Sequence, residues 1–170
     1  ENGVILHSVL DYQAMKHTDI VEILKDKETY LDKSVTLCGW ARTVRNSKGI
    51  CFIELNDGSS FRSIQLVVDE SACSDYAKAI KQGVGAALKA VGTVVNSYNN
   101  KEIPEINVTS LEVLGVAPQE YPLQKTRHTL EFLRTIAHLR ARTNTFNAMF
   151  RVRSVLSAAI HDFFRGRGFT

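Results

Sequence analysis

Apolar and polar side chains alternate in three successive runs between residues 34 and 69, and a period of two predicts β-strands with one face toward a core. Val35 and Leu37 mark the first run, Cys51, Ile53 and Leu55 the second, and Ile64, Leu66 and Val68 the third. Asn46-Ser47-Lys48-Gly49 and Asn56-Asp57-Gly58-Ser59 separate them. Both stretches are rich in residues that accept turn or left-handed conformations. The pattern predicts a three-stranded meander.

Outside the meander the spacing changes. Residues 1–17 show no sustained period and read as an extension or linker. Thr18 and Asp19 precede Ile20, Val21, Ile23 and Leu24, which predicts a short helix with a polar cap. After the third strand, Ser71 is placed to cap a helix carrying Ala72, Tyr76, Ala79 and Ile80 and ending at Gly83. A fourth strand is expected at about 85–96, and a fifth from Ile103 to Leu114 with Pro104 near its start. Three strands, one helix and two strands form the element order of a five-stranded Greek-key barrel of the OB type, spanning residues 18–115. An SH3-like barrel, which lacks a helix of that length between its third and fourth strands, is the alternative.

The segment 116–128 carries Pro118 and Pro122 without a clear period and reads as a hinge. Thr129, with Glu131 nearby, then caps a short helix bearing Leu130, Leu133 and Ile136. Residues 138–145 read as irregular and basic. From about Phe146 to Arg165 a long helix is expected, with Met149, Val152, Leu156, Ala159 or Ile160, and Phe163 at helical spacing. Phe146, Phe150 and Phe164 widen that apolar surface beyond what one small barrel needs, which points to a partner subunit or a further domain. The fold class is mainly β with appended α.

Composition refines this picture. With 170 residues, 44% of them hydrophobic, the chain can bury a sizeable core. The net charge of +3 is unevenly spread: residues 1–124 hold 12 Lys/Arg against 16 Asp/Glu, and residues 125–170 hold 9 against 2. The basic tail suits contact with a polyanion, or pairing with acidic groups on a partner. Three separated cysteines, Cys38, Cys51 and Cys73, argue against a disulfide framework and for a reduced, intracellular compartment. The cytoplasm is the first expectation, with an organelle left open. No apolar run is long enough to cross a membrane. The chain does not begin with Met and stops just past the last predicted helix, so it is expected to be a piece of something longer.

The candidate chemistry is binding. The five histidines form no metal-ligand spacing with the cysteines, and no phosphate-cradle, metalloprotease or nucleophile-elbow motif is present. Arg42, Arg45 and Lys48 place three cations in seven residues with no acid among them, and Phe52 and Gln65 fall on the two strands that follow. Cations that track phosphates, a ring that stacks on a base and an amide that reads its edge are what single-stranded nucleic acid requires. Taken one at a time, a strand Phe is usually core, and three cations beside a turn are usually a solvated rim.

Two longer strings say more. VTLCGWARTVRNSKGICFIELNDGSSFRSIQLVV and YPLQKTRHTLEFLRTIAHLRARTNTFNAMFRVRSVLSAAIHDFFRGRGF together resemble the amino-terminal part of the asparaginyl-tRNA synthetases, class II enzymes of the aspartyl, asparaginyl and lysyl subgroup. The resemblance covers about residues 18–170. G-W-x-R-T-x-R at the barrel's opening is shared by the subgroup, whereas R-H-T-L-E-F-L-R followed by A-H-L-R-x-R-T-N is similar to the asparagine branch. Ala141 stands where that branch usually has Pro.

The resemblance implies an OB barrel that binds the tRNA anticodon loop, a hinge, and from 129 to 170 the first helices of a catalytic domain built on an antiparallel sheet. It implies that Phe52 stacks on an anticodon base, that Gln65 hydrogen-bonds the central uridine, and that Arg45 contacts the loop. Glu105 is the nearest match to a last-strand Glu of the relatives, with Asn107 leaving the register open. The final helix and Arg167-Gly168-Phe169 resemble the start of class II motif one, which implies a homodimer interface over Met149, Val152, Leu156, Phe163 and Phe169. The resemblance implies that the parent ligase uses ATP and magnesium; motifs two and three, which hold ATP and the aminoacyl adenylate, are missing, so these residues would hold no cofactor and charge no tRNA alone. A general single-stranded nucleic-acid-binding OB protein, and a module whose basic tail docks on an acidic partner, remain the other readings.

Overall fold

The strands of the chain are Ser34–Ser47 (β1), Ile50–Asn56 (β2), Ile64–Asp69 (β3), Ala87–Asn96 (β4) and Pro104–Gly115 (β5). They close into a barrel in the order β1-β2-β3-β5-β4, with β4 returning to β1. The computed structural model describes residues 16–98, 100–118 and 120–169, so most of the expected extension lies outside the described residues. All neighbouring strands are antiparallel except β3 and β5, which run parallel. This is the OB arrangement, and closure leaves no free sheet edge. Strand β1 reaches 14 residues because its first half pairs with β4 and its second half with β2.

The alternation read from the sequence is the alternation of burial. Leu37, Cys51, Ile53, Leu55, Leu66, Val68, Leu88, Ala90, Val94 and Ile106 are fully buried in one core. Ile20 and Ile23, from the helix Ile20–Lys25 (α1), join the same cluster. Burial at Cys51 pushes its thiol pKa up, which keeps it an uncharged packing group. The β1–β2 connection is a two-residue turn in which Lys48 and Gly49 both have positive φ, 41° and 84°. That is the sense of a type I′ hairpin, whose twist matches its strands.

Several local expectations are corrected. Asp19 occupies the N-cap position of α1, but its side chain makes no cap bond. The helix N–H groups are satisfied by the β2–β3 loop: Ile20 N donates to Asp57 Oδ2 at 2.7 Å and Val21 N to Ser59 Oγ at 3.0 Å. That loop runs beyond the predicted turn, through Ser63, held by Asn56 Nδ2 donating to the carbonyls of Ser60 and Arg62. A second short helix, Lys27–Tyr30 (α2), follows α1 and is capped by Asp26. The helix after β3 is a single turn, Tyr76–Ala79 (α3), with Asp75 at its N-cap position. Ser71 does not cap it: its N–H and hydroxyl both donate to Asp69 Oδ1. The barrel topology, and not the length of that helix, therefore separates this fold from an SH3-like one.

The chain divides into two compact units at Tyr121/Pro122. In the second, Thr129 caps Leu130–Thr135 (α4) by accepting from Phe132 N at 3.2 Å. The stretch read as irregular forms a 3-10 turn at Arg140–Arg142, and the long helix begins at Asn144 and ends at Arg165 (α5), capped by Thr143. Phe146 is buried, with the Arg140 guanidinium 4.9 Å from its ring centroid.

Candidate nucleic-acid interface

Whether β1 and β2 present their polar side chains to one face depends on a β-bulge. Ala41 pairs with Leu55 and Thr43 with Glu54, which leaves Arg42 as an extra, unpaired residue in β1. An inserted residue reverses the alternation of the strand. Odd-numbered Val35, Leu37 and Ala41 face the core before it, and even-numbered Val44 packs there after it. Arg45 is thereby turned outward, onto the face of Phe52. On β2 the buried set is Cys51, Ile53 and Leu55, so Phe52 is not a core residue.

Two rungs cross this outer face. One runs Arg45, Phe52, Val67, Asn107, and the other Thr43, Glu54, Gln65, Glu105, from β1 to β5. The open register on the last strand is thus set: Glu105 stands opposite Gln65 and Asn107 opposite Val67. Arg45 reaches across β2 and donates from Nη2 to Gln65 Oε1 at 3.2 Å. Gln65 in turn donates from Nε2 to Glu105 Oε1 at 2.9 Å. The amide is held at both ends, and its orientation is set by a cation on one side and a carboxylate on the other.

Each group keeps capacity for a ligand. Gln65 Oε1 has a second lone pair, Nε2 a second N–H, and the Arg45 guanidinium further donors. The face therefore presents donor, acceptor, donor in sequence, with the half-buried Phe52 ring on the neighbouring rung. Lys48 is exposed at the tip of the β1–β2 hairpin, and Arg42 is half-buried at the bulge. Sequence reasoning did not single out Glu54 or Thr43. Their period-two spacing from Phe52 and Arg45 was the signal that could have found them.

The other named residues belong to the second unit. Met149, Val152 and Leu156 are exposed on α5 and line a shallow groove with Arg153, Ser157 and Ile160. Phe163 is exposed beneath the Arg167 guanidinium, 3.7 Å from its centroid, and Phe169 meets Phe164 edge-on at 5.6 Å. Among the described residues no group of three or more His, Cys, Asp or Glu could hold a metal ion. No described helix is long and apolar enough to cross a membrane.

Comparison with known proteins agrees with this geometry. Residues 35–114 match the family model of the OB-fold nucleic acid binding domain. The chain is 47% identical over 155 residues to an asparagine–tRNA ligase of Acetivibrio thermocellus, covering 91% of this chain and 33% of that protein. It is 45% identical over 156 residues to one of Clostridium perfringens, covering 91% and 34%. The asparaginyl-tRNA synthetase of Pyrococcus horikoshii, solved with asparaginyl-adenylate, superposes with a TM-score of 0.79 at 23% identity, covering 91% of this chain and 35% of that one. An aspartyl-tRNA synthetase of Entamoeba histolytica gives 0.73 at 18%, covering 92% and 38%. The chain spans about a third of the length of the relatives it matches. By sequence the chain is similar to asparagine–tRNA ligases, and its residues 35–114 match the OB-fold nucleic acid binding domain.

Proposed function

We propose that this chain recognises the anticodon loop of a tRNA, as the nucleic-acid-binding part of a ligase that joins asparagine to tRNA. The observation that carries the reading is the chain of hydrogen bonds from Arg45 through Gln65 to Glu105. Uracil offers acceptor, donor, acceptor along its free edge (O4, N3–H, O2), which complements Arg45 N–H, Gln65 Oε1 and Gln65 Nε2–H. Cytosine loses part of that match: facing the same three groups its N3 acceptor opposes Gln65 Oε1, and shifted toward β5 its O2 opposes Glu105. A free glutamine accepts both bases, so the two anchors supply the discrimination.

Phe52 supplies stacking worth about 1 to 3 kcal/mol per base, and Arg42 and Lys48 track phosphates. In the whole ligase the asparagine carboxylate would be activated on ATP with magnesium and passed to the tRNA terminal ribose. The described residues hold no cluster for the ion, and no step of that chemistry is assigned to them. Residues 116–128 would be the hinge and 129–170 the start of the catalytic domain. The apolar face of α5, with Phe169, would meet a second subunit, and Leu156→Asp should abolish self-association in sedimentation of the parent enzyme. Three unbridged cysteines accord with a cytoplasmic setting.

The test is a titration of the chain against anticodon stem-loops that read asparagine, aspartate and lysine codons, all at one salt concentration. Preference for the asparagine loop, lost when the central uridine becomes cytidine, is expected. Equal, weak, salt-sensitive binding to all three would reduce the barrel to a general single-strand platform.

A further inference from the structure

Two members of the second rung, Thr43 and Glu54, have no role in that recognition, and of these Glu54 carries a charge. Glu54 lies between Thr43 and Gln65 on the outer face and is half-buried. Its carboxylate makes no hydrogen bond or ion pair among the described residues. The bonds its neighbours make run elsewhere: Gln65 Nε2 donates to Glu105, and Arg45 Nη2 donates to Gln65. Nucleic acid laid across this face would strip water from Glu54 while its phosphates repelled the charge. Such a carboxylate is costly unless the ligand brings N–H donors to it.

Base edges differ sharply in that respect. Guanine presents N1–H and N2–H side by side, matching the two carboxylate oxygens. Adenine and cytosine each present one amino group beside a ring acceptor, which would oppose the second oxygen. Uracil presents a single N–H between two carbonyls. Glu54 and Gln65 are cross-strand neighbours whose Cα atoms stand about 5 Å apart, so the base at Glu54 is the one next to the base at Gln65.

We propose that Glu54 selects guanine at the nucleotide beside the central uridine. The proposal rests on the anticodon reading of the same face and names the second base it takes. It agrees with the genetic code, since the anticodons that pair with asparagine codons place guanine 5′ of the central uridine.

Binding of the intact chain to stem-loops with guanine, inosine or adenine at that position tests it, with wild type and Glu54→Gln measured side by side. Inosine lacks only the 2-amino donor. Wild type should lose about tenfold on going from guanine to inosine, and more with adenine. Glu54→Gln should bring guanine and inosine within about twofold while keeping the penalty for a central cytidine. An unchanged guanine-to-inosine ratio in Glu54→Gln, at an unchanged melting temperature, overturns the assignment. Wild type that prefers the central uridine yet ignores inosine overturns it too and leaves the anticodon reading standing. Wild type that is indifferent to the central base removes both.

Discussion

The amide of Ile20 donates its proton to the carboxylate of Asp57, 37 residues further along the chain, at 2.7 Å. With Ser59 holding Val21 N, the β2–β3 loop does for α1 what a local N-cap does elsewhere. Asp57 also accepts from Ser59 N at 2.9 Å, so one side chain orders the loop and anchors the helix whose Ile20 and Ile23 fill the core. Asp57→Ala should lower stability by about 1 to 2 kcal/mol, whereas Asp19→Ala should cost no more than a few tenths. Urea denaturation followed by circular dichroism gives both, and equal effects would show that the cap is local after all.

Glu105 anchors the Gln65 amide from one side and Arg45 from the other. Glu105→Ala should therefore cost about tenfold in affinity for a uridine-centred loop and narrow its advantage over the cytidine-centred one. Lys48→Ala should weaken all loops alike and reduce the salt slope by about one. Anisotropy titrations at several salt concentrations separate the two patterns. If Glu105→Ala lowered affinity without narrowing the discrimination, the anchoring role would be wrong.

Glycines at two positions should respond in opposite measure. A Cβ on Gly92 would stand 2.3 Å from the Asn107 carbonyl oxygen and 2.8 Å from Ile106 Cγ2, at the place where the β4–β5 register shifts. Backbone cannot yield there cheaply, so Gly92→Ala should destabilise by roughly 3 kcal/mol. Gly58 has φ near +85° and open space around it, so Gly58→Ala should cost about 1 kcal/mol from backbone strain alone. Thermal melts of the two variants set the order, and a milder Gly92→Ala would mean that β4 and β5 can separate at this point.

Asp75 ties α3 to the barrel, accepting Lys78 Nζ at 2.7 Å and Leu111 N at 3.1 Å. The Lys78 bond, then the Leu111 N–H, hold its carboxyl below the usual carboxylate range. A group with a depressed folded pKa contributes fully above its unfolded value, about 3.9 for Asp. That contribution is lost as the pH falls through the folded value. The melting temperature should thus fall in acid, and Asp75→Asn should lower it at neutral pH while making the acid slope shallower. Part of the slope should survive, because Ser71 holds Asp69 down in the same way. An acid slope identical to wild type would remove Asp75 from the account.

Sequence patterning carried the meander, the order of the five strands, the turn within residues 46–49 and the long amphipathic helix. These depend on side-chain period and turn chemistry within a few residues of one another. Phe52 and Gln65 were legible as a pair by that route, because alternation against Cys51, Ile53, Ile64 and Leu66 sends them to the face away from the core. The short helix after β3 misled, since Ser71 had a closer acceptor in Asp69.

Closure of the barrel settled the rest. The extra residue at Arg42 reverses the parity of β1, and only the pairing partner β2 reveals it. The register of β5 against β3 puts Glu105, and not Asn107, opposite Gln65. The cap of α1 comes from a loop that no local pattern joins to it. Each is a contact between residues tens of positions apart, and its geometry exists only once the strands have closed around one core.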